Sequence, residues 1–106
     1  MTTGKLVRDR IPELISAEGR KPIVSKLTGA ALLSALYDKL AEEHEELLTA
    51  ESAEEKCEEI ADVIEVLIGI ATQYGFEEAE VMDSVARKRE ERGGFADGVF
   101  YEGDER

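Results

Sequence analysis

Apolar residues recur at helical spacing along two stretches of the chain. Over residues 28–49, Leu33, Leu36, Leu40 and Leu47 follow a 3-4-7 spacing, and Glu43 fills the vacant slot between Leu40 and Leu47. Over residues 52–74, Ala53, Cys57, Ile60, Ile64, Leu67, Ala71 and Tyr74 make an unbroken 4-3 stripe. Val63, Val66 and Ile70 widen that stripe, and Glu59 continues the second row toward the N-terminus. A period near 3.6 collects such residues on one face of a helix. Thr28 is a candidate N-cap for the first helix, and Ser52 with Glu55 forms the S-x-x-E pattern of a capping box for the second. With about three residues between them, the two helices must run antiparallel as a hairpin.

Two further helices are expected. Asp9 and Pro12 open one over residues 9–18, which Gly19 closes, and Arg92-Gly93-Gly94-Phe95 terminates another over residues 77–91. Arg20 to Leu27 is basic and β-branched and reads as an extended strap, and the tail from Phe95 is rich in Gly and acid. The expected fold is therefore all-α, a single domain over residues 1–106. Its hairpin carries more apolar surface than a short chain can cover, so self-association into a larger bundle is expected.

Composition narrows the function classes. Apolar residues make up 42% of the chain and aromatic ones 6%, with no Trp, which suits an aliphatic helical core. No run approaches the roughly 20 apolar residues of a membrane span. The start, Met-Thr-Thr-Gly-Lys, has no apolar signal core, so a cytoplasmic protein is the expectation. Cys57 is alone, which removes intrachain disulfides and multi-thiolate zinc sites, and it reads as a small residue of the stripe. Asp and Glu total 25 against 13 Lys and Arg, a formal charge of −12, so polymeric nucleic acid is not the expected partner.

The charges are unevenly placed. Six basic residues precede Leu27, four more fall between Arg87 and Arg92, and between Ala41 and Val66 eleven acids face a single base, Lys56. Glu42, Glu45, Glu58 and Glu65 point away from the stripes as ordinary solvated surface. Glu43 and Glu59 instead fall within or beside the apolar arcs, where a bare carboxylate needs a cation or strong donors. Each has an acidic companion three residues on, Glu46 and Asp62, on the same helical face. The two pairs lie at nearly equal distances from the turn at Ser52, so folding the hairpin brings four carboxylates together.

An oxygen-only set of this kind suits a hard divalent cation, Mg²⁺ or Mn²⁺. The alternative reading is a common E-x-x-E surface pattern. Iron redox and phosphate chemistry both use carboxylate-held metals, and the di-iron pattern of Glu-x-x-His pairs is missing, because His44 follows Glu43 directly and lies off its face. Lys88 and Arg92, one turn apart, and the backbone at Gly93-Gly94 could meet phosphate. Equally, these residues could do no more than end a helix. Tyr37, Tyr74, Phe76, Phe95, Phe100 and Tyr101 read as core or tail packing, which leaves base preference unread.

The stretch Lys39-Leu40-Ala41-Glu42-Glu43-His44-Glu45-Glu46-Leu47, followed by Glu58-Glu59-Ile60-Ala61-Asp62-Val63, resembles the E-x-x-E … E-x-x-D signature of MazG-like, all-α nucleoside triphosphate pyrophosphatases. The opening Lys5-Leu6-Val7-Arg8-Asp9-Arg10-Ile11-Pro12-Glu13 and the closing Arg92-Gly93-Gly94-Phe95 resemble the phosphoribosyl-ATP pyrophosphohydrolase-like branch. The resemblance implies hydrolysis between the α and β phosphates of a nucleotide, with Mg²⁺ or Mn²⁺ held by Glu43, Glu46, Glu59 and Asp62. It implies that Glu43 or the adjacent Glu42 activates water. Lys88, Arg92, Gly93 and Gly94, and then Lys5 and Arg8, would contact phosphate, in a homodimer or homotetramer. Asp62 is followed by Val63-Ile64-Glu65-Val66 rather than the L-x-Y-H of histidine-pathway enzymes, which points to a (deoxy)nucleoside triphosphate in a house-cleaning role, with phosphoribosyl-ATP as the alternative substrate. A non-catalytic helical self-association module, its acidic seam meeting basic flanks of another copy, is the alternative of a different class.

Overall fold

The computed structural model describes residues 4–105. Its four helices are α1 (Ile11–Ala17), α2 (Gly29–Thr49), α3 (Ala53–Gln73) and α4 (Glu78–Arg92), and the fold is all-α as the periodicity predicts. Local chemistry sets most of the ends. The Ser52 hydroxyl accepts the Glu55 N–H at 3.0 Å. Glu55 returns its carboxylate to the Ser52 hydroxyl rather than to the Ser52 backbone, so only half of the expected capping box forms. At the other end of α3, Gly75 takes φ +87°, and the Phe76 N–H reaches the Ala71 carbonyl at 3.0 Å, which closes the helix in a Schellman turn. Lys56, the one base of the acidic middle, donates to the Leu47 carbonyl at 2.8 Å and the Leu48 carbonyl at 3.3 Å. It thereby ties the end of α2 to the start of α3.

Two caps differ from expectation. Asp9 does not cap α1: Arg10 occupies that position, because the bond from the Ile11 N–H to the Arg8 carbonyl puts Asp9 inside a tight turn. Thr28 is the N-cap of α2 but its hydroxyl makes no capping bond. A reciprocal capping box appears instead at α4, between Glu77 and Glu80. That Glu-x-x-Glu pattern is in the sequence, but it lacks the Ser or Thr by which such boxes are usually spotted.

The α2–α3 hairpin is the main helix–helix contact. Among the described residues α1 packs on no other helix and α4 packs only on α3. The core is small: Leu36, Val66 and Ile70 are buried, and Leu6, Leu32, Leu33 and Leu40 pack around them. The face of α3 turned to α2 is therefore the row of Glu59, Val63, Val66 and Ile70, not the longer stripe. Gly69 favours the choice, because a Cβ there would lie 3.1 Å from Leu36 Cδ2, so a larger residue would crowd the seam at this point. Ile60, Ile64 and Leu67 of the long stripe remain close to half exposed, and Cys57 is exposed beside them. Leu36→Ala removes the centre of this core and is expected to cost about 2–5 kcal/mol, a large share of a small domain's stability, read as a lower midpoint in chemical denaturation.

The chain is elongated, with a radius of gyration of 18.1 Å against about 13 Å for a closed globule of this length. The basic stretch at 20–27 is irregular and lies against little, with Ile23 fully exposed. Tyr37, Tyr74, Phe76, Phe95, Phe100 and Tyr101 are exposed too, so none is core packing within one chain. Among the described residues, no helix is long and apolar enough to cross a membrane.

Candidate active site

The hairpin brings the two carboxylate pairs to one level. Carboxylate oxygens of Glu42, Glu43 and Glu46 lie within 4.8 Å of one another, and so do those of Glu43, Glu59 and Asp62. Glu43 belongs to both sets. It is also the most enclosed of them, 5% exposed, because its position in the Leu36–Leu40–Leu47 row points it at α3. Carboxylates gathered in this way repel, and three cations answer them. Lys39 lies 3.2 Å from both Glu42 and Glu43, Lys5 lies 3.4 Å from Glu42, and Arg8 lies 2.6 Å from Asp62.

The compensation is incomplete. Oε2 of Glu43 and Oε2 of Glu59 are shut off from solvent without a hydrogen-bond partner among the described residues. Burial pushes the Glu59 carboxyl up to about 7, reinforced by the neighbouring Glu43 carboxylate and by the charges of Glu46 and Asp62. Glu46 is raised for the same kinds of reason, burial first and Glu43 second. Burial also acts to raise Glu42, but the ion pairs with Lys39 and Lys5 outweigh it and hold that carboxyl below its ordinary value. Lys39 is in the mirror situation, with burial opposing its charge and Glu43 and Glu42 raising its pKa. Orphaned buried oxygens on an all-carboxylate set fit a hard divalent cation, and Glu43, Glu46, Glu59 and Asp62 are the residues placed to hold one.

The arm of residues 5–9 completes the site. Leu6 packs on the hydrophobic core, which holds Lys5 and Arg8 above the acids. Between the arm and the hairpin runs an open cleft of about 340 Å³ that reaches Glu43 and Asp62 at one end. Lys39 joins the site beyond the expected residues, and a Lys three and four residues before two Glu on one helix is a readable signal. Glu65 is exposed, as expected, and also borders the cleft, whereas Glu42 is half-buried in its ion pairs rather than pointing to solvent.

The C-terminal cations are elsewhere. Lys88 and Arg92 make no ion pair or hydrogen bond to the four carboxylates among the described residues, and α4 does not touch α2. The Gly93 N–H is already spent on the Arg89 carbonyl at 2.8 Å, with Gly93 at φ +82°, so of the two glycines only Gly94 keeps an N–H for an anion. Arg92, Gly93 and Gly94 border a hollow formed with the tail. His44 is exposed, off the face of Glu43.

A helical hairpin with a partly buried, incompletely compensated E-x-x-E … E-x-x-D cluster at its seam, centred on the buried Glu43, defines the class: an all-α, MazG-like protein. A model of the phosphoribosyl-ATP pyrophosphohydrolase family matches residues 7–89, and the chain belongs to that family. The match spans the end of the arm from Val7, the hairpin and most of α4. An uncharacterized protein of Mycolicibacterium smegmatis is 50% identical over 48 residues, which is 45% of this chain and 49% of that protein. The chain thus aligns with about half the length of this relative. No solved structure matches.

Proposed function

We propose that the protein is a Mg²⁺- or Mn²⁺-dependent nucleotide pyrophosphohydrolase, cleaving a (deoxy)nucleoside triphosphate between its α and β phosphates to release pyrophosphate and a monophosphate. The observation that carries this reading is the partnerless Oε2 of Glu43 at the junction of both carboxylate sets. A divalent ion bound there supplies neutralisation of phosphate charge and a lower pKa for an attacking water. The chain's own residues do the rest. Glu43, Glu46, Glu59 and Asp62 hold the ion. Glu42 bears two ammonium groups and is the weaker base of the candidates, so we assign it to anchoring Lys39 and Lys5. The water's proton passes to Glu43 or Glu59, its oxygen bonds to phosphorus, and the bridge between the α and β phosphates breaks with its electron pair leaving on one phosphate.

Arg8 and Lys5 are the cations nearest the acids and are the first candidates to meet phosphate. Lys88, Arg92 and Gly94 would reach a carboxylate cluster only across an oligomer. The exposed row of Ile60, Ile64 and Leu67 favours one, a homodimer or homotetramer in which a second copy covers that row. Assaying inorganic pyrophosphate from canonical, deoxy and damaged nucleoside triphosphates and from phosphoribosyl-ATP tests the reading. Pyrophosphate release that requires Mg²⁺ or Mn²⁺ is expected, greatest for a triphosphate. No release from any of them would reject it in favour of a non-catalytic helical module.

A further inference from the structure

Two segments outside the helices are exposed and unpaired, and they carry opposite charge. One is the strap between α1 and α2, residues 20–27, which holds Arg20, Lys21 and Lys26 and no acid. The other is residues 95–105 of the tail, which hold Asp97, Glu102, Asp104 and Glu105 and no base. Neither 20–27 nor 99–105 makes a backbone–backbone hydrogen bond among the described residues. Arg20 pairs with its near neighbour Glu18, and Asp104 accepts the Tyr101 hydroxyl at 2.7 Å. The apolar side chains between these charges are bare as well. Ile23 is fully exposed and Val24 largely so, while Phe95, Val99, Phe100 and Tyr101 lie between 72% and 99% exposed. A row of unpaired N–H and C=O groups flanked by bare apolar side chains is what another extended segment pairs with.

Residue type and backbone suit the two segments to each other. Both are centred on β-branched or aromatic residues, Ile23 and Val24 in one and Val99, Phe100 and Tyr101 in the other. Gly98 at φ +61° and Gly103 at φ +118° bracket the acidic segment, which leaves residues 99–102 as a short run between two bends. Laid antiparallel with Val24 opposite Phe100, Ile23 meets Tyr101, Ser25 meets Val99 and Pro22 meets Glu102. Pro22 then falls, with Val24, at a non-hydrogen-bonded position, where its missing N–H costs nothing. Arg20 and Lys21 continue toward Asp104 and Glu105 beyond the Gly103 bend. The other basic cluster, Arg87 to Arg92, lies on α4, where the backbone is spent within the helix and offers charge without a strand edge. Within one chain the two segments share no backbone hydrogen bond among the described residues. A second copy offers each segment its complement, and a two-fold axis makes both contacts at once.

We propose that two copies of the chain clasp each other reciprocally, the basic strap of each pairing as a short antiparallel strand with residues 99–102 of the other. This surface is separate from the row of Ile60, Ile64 and Leu67 and from the carboxylate cluster, so it stands or falls independently of the pyrophosphohydrolase reading. The test is disulfide trapping in the full chain, with Cys57→Ser as the background. Val24→Cys and Phe100→Cys are made in separate chains, mixed and gently oxidised, and the mixed dimer is identified by mass. Facing residues of such a pair have Cβ atoms about 4.5–5.5 Å apart. The mixed disulfide is therefore expected at a yield several-fold above that of Val24→Cys mixed with Glu54→Cys, a control at an exposed position of α3. Adding Arg20→Glu and Lys21→Glu to the Val24→Cys chain should lower the yield several-fold. Asp104→Lys with Glu105→Lys in the Phe100→Cys chain should then restore it. The substituted positions are exposed, so helical circular dichroism should match the wild type throughout. A yield no higher than the control, a disulfide closed within one chain when both cysteines are placed in it, or charge reversal without loss of yield overturns the proposal.

Discussion

Glu43→Gln is expected to lower Mg²⁺-dependent pyrophosphate release by roughly 10²–10³-fold or more, the scale of removing one preorganised electrostatic contact at a reacting centre. The size follows from position. Glu43 alone belongs to both carboxylate sets, and its Oε2 is one of the two buried oxygens left without a partner among the described residues. A Gln of the same shape keeps one oxygen but puts an amide donor, with no negative charge, where a cation must bind. The helices should survive, because the substitution removes repulsion from a cluster with more carboxylates than cations, and Lys39 keeps Glu42 as a partner. Helical circular dichroism should therefore match the wild type while turnover collapses. Glu45→Gln, on the exposed face one turn from Ala41, is the control and should retain wild-type turnover.

The second large effect is a reversal of pH dependence by metal. In the metal-free protein the folded-state pKa of Glu59 is raised from 4.5 to about 7. The folded chain then binds more protons than the unfolded one between those values. By linkage, the contribution of this group favours folding at low pH and is lost as pH rises toward and through 7. Glu46 acts in the same sense. Glu42, held low by Lys39 and Lys5, acts oppositely, its contribution disappearing in acid. Melting curves in chelator should show a midpoint that falls between pH 5.5 and pH 8. With Mg²⁺ at about 100 times its Kd, the folded state gains about 2.7 kcal/mol, several degrees of midpoint for a domain of this size. Because the ion displaces protons from the cluster, that gain should be larger at pH 8 than at pH 5.5. An acidic surface without a metal site would show neither the gain nor its pH dependence.

Much of this architecture was legible in the pattern of residues, for identifiable reasons. The hairpin follows from two long apolar periods and a short connection, and the helix ends fell within two residues of those expected. The carboxylate cluster was legible because Glu43 and Glu59 interrupt apolar rows, which a purely solvated acid has no reason to do. What could not be read is how the two helices choose their faces. The long stripe through Ile60, Ile64 and Leu67 has the more regular period, yet the row with Val66 and Ile70 packs on α2. The close approach at Gly69 is a matter of shape that a hydrophobic pattern does not register. The arm was also beyond local reading: Lys5 and Arg8 meet Glu42 and Asp62 across 37 and 54 residues of chain. Lys39 is legible by spacing alone, three and four residues before Glu42 and Glu43 on one helical face, and it is the base that holds both.

The same geometry explains why the site costs stability. Buried carboxylates in excess of their cations are unfavourable in the folded chain until an ion arrives. The small core of Leu36, Val66 and Ile70 has little to spare for that. Binding of the divalent ion and covering of the exposed apolar row by a second copy would both relieve the deficit. Folding, assembly and metal loading are thus expected to be linked.

The seam of the hairpin is expected to hold a divalent ion through Glu43, Glu46, Glu59 and Asp62. Titration of Mn²⁺ followed by electron paramagnetic resonance reads it directly, independent of any substrate, in the wild-type protein and in Glu43→Gln at pH 8. The account predicts saturable loss of the free Mn²⁺ signal in the wild type, relieved by competing Mg²⁺, with the affinity sharply reduced in the variant. Equal Mn²⁺ binding by both proteins, or none by the wild type, would contradict it.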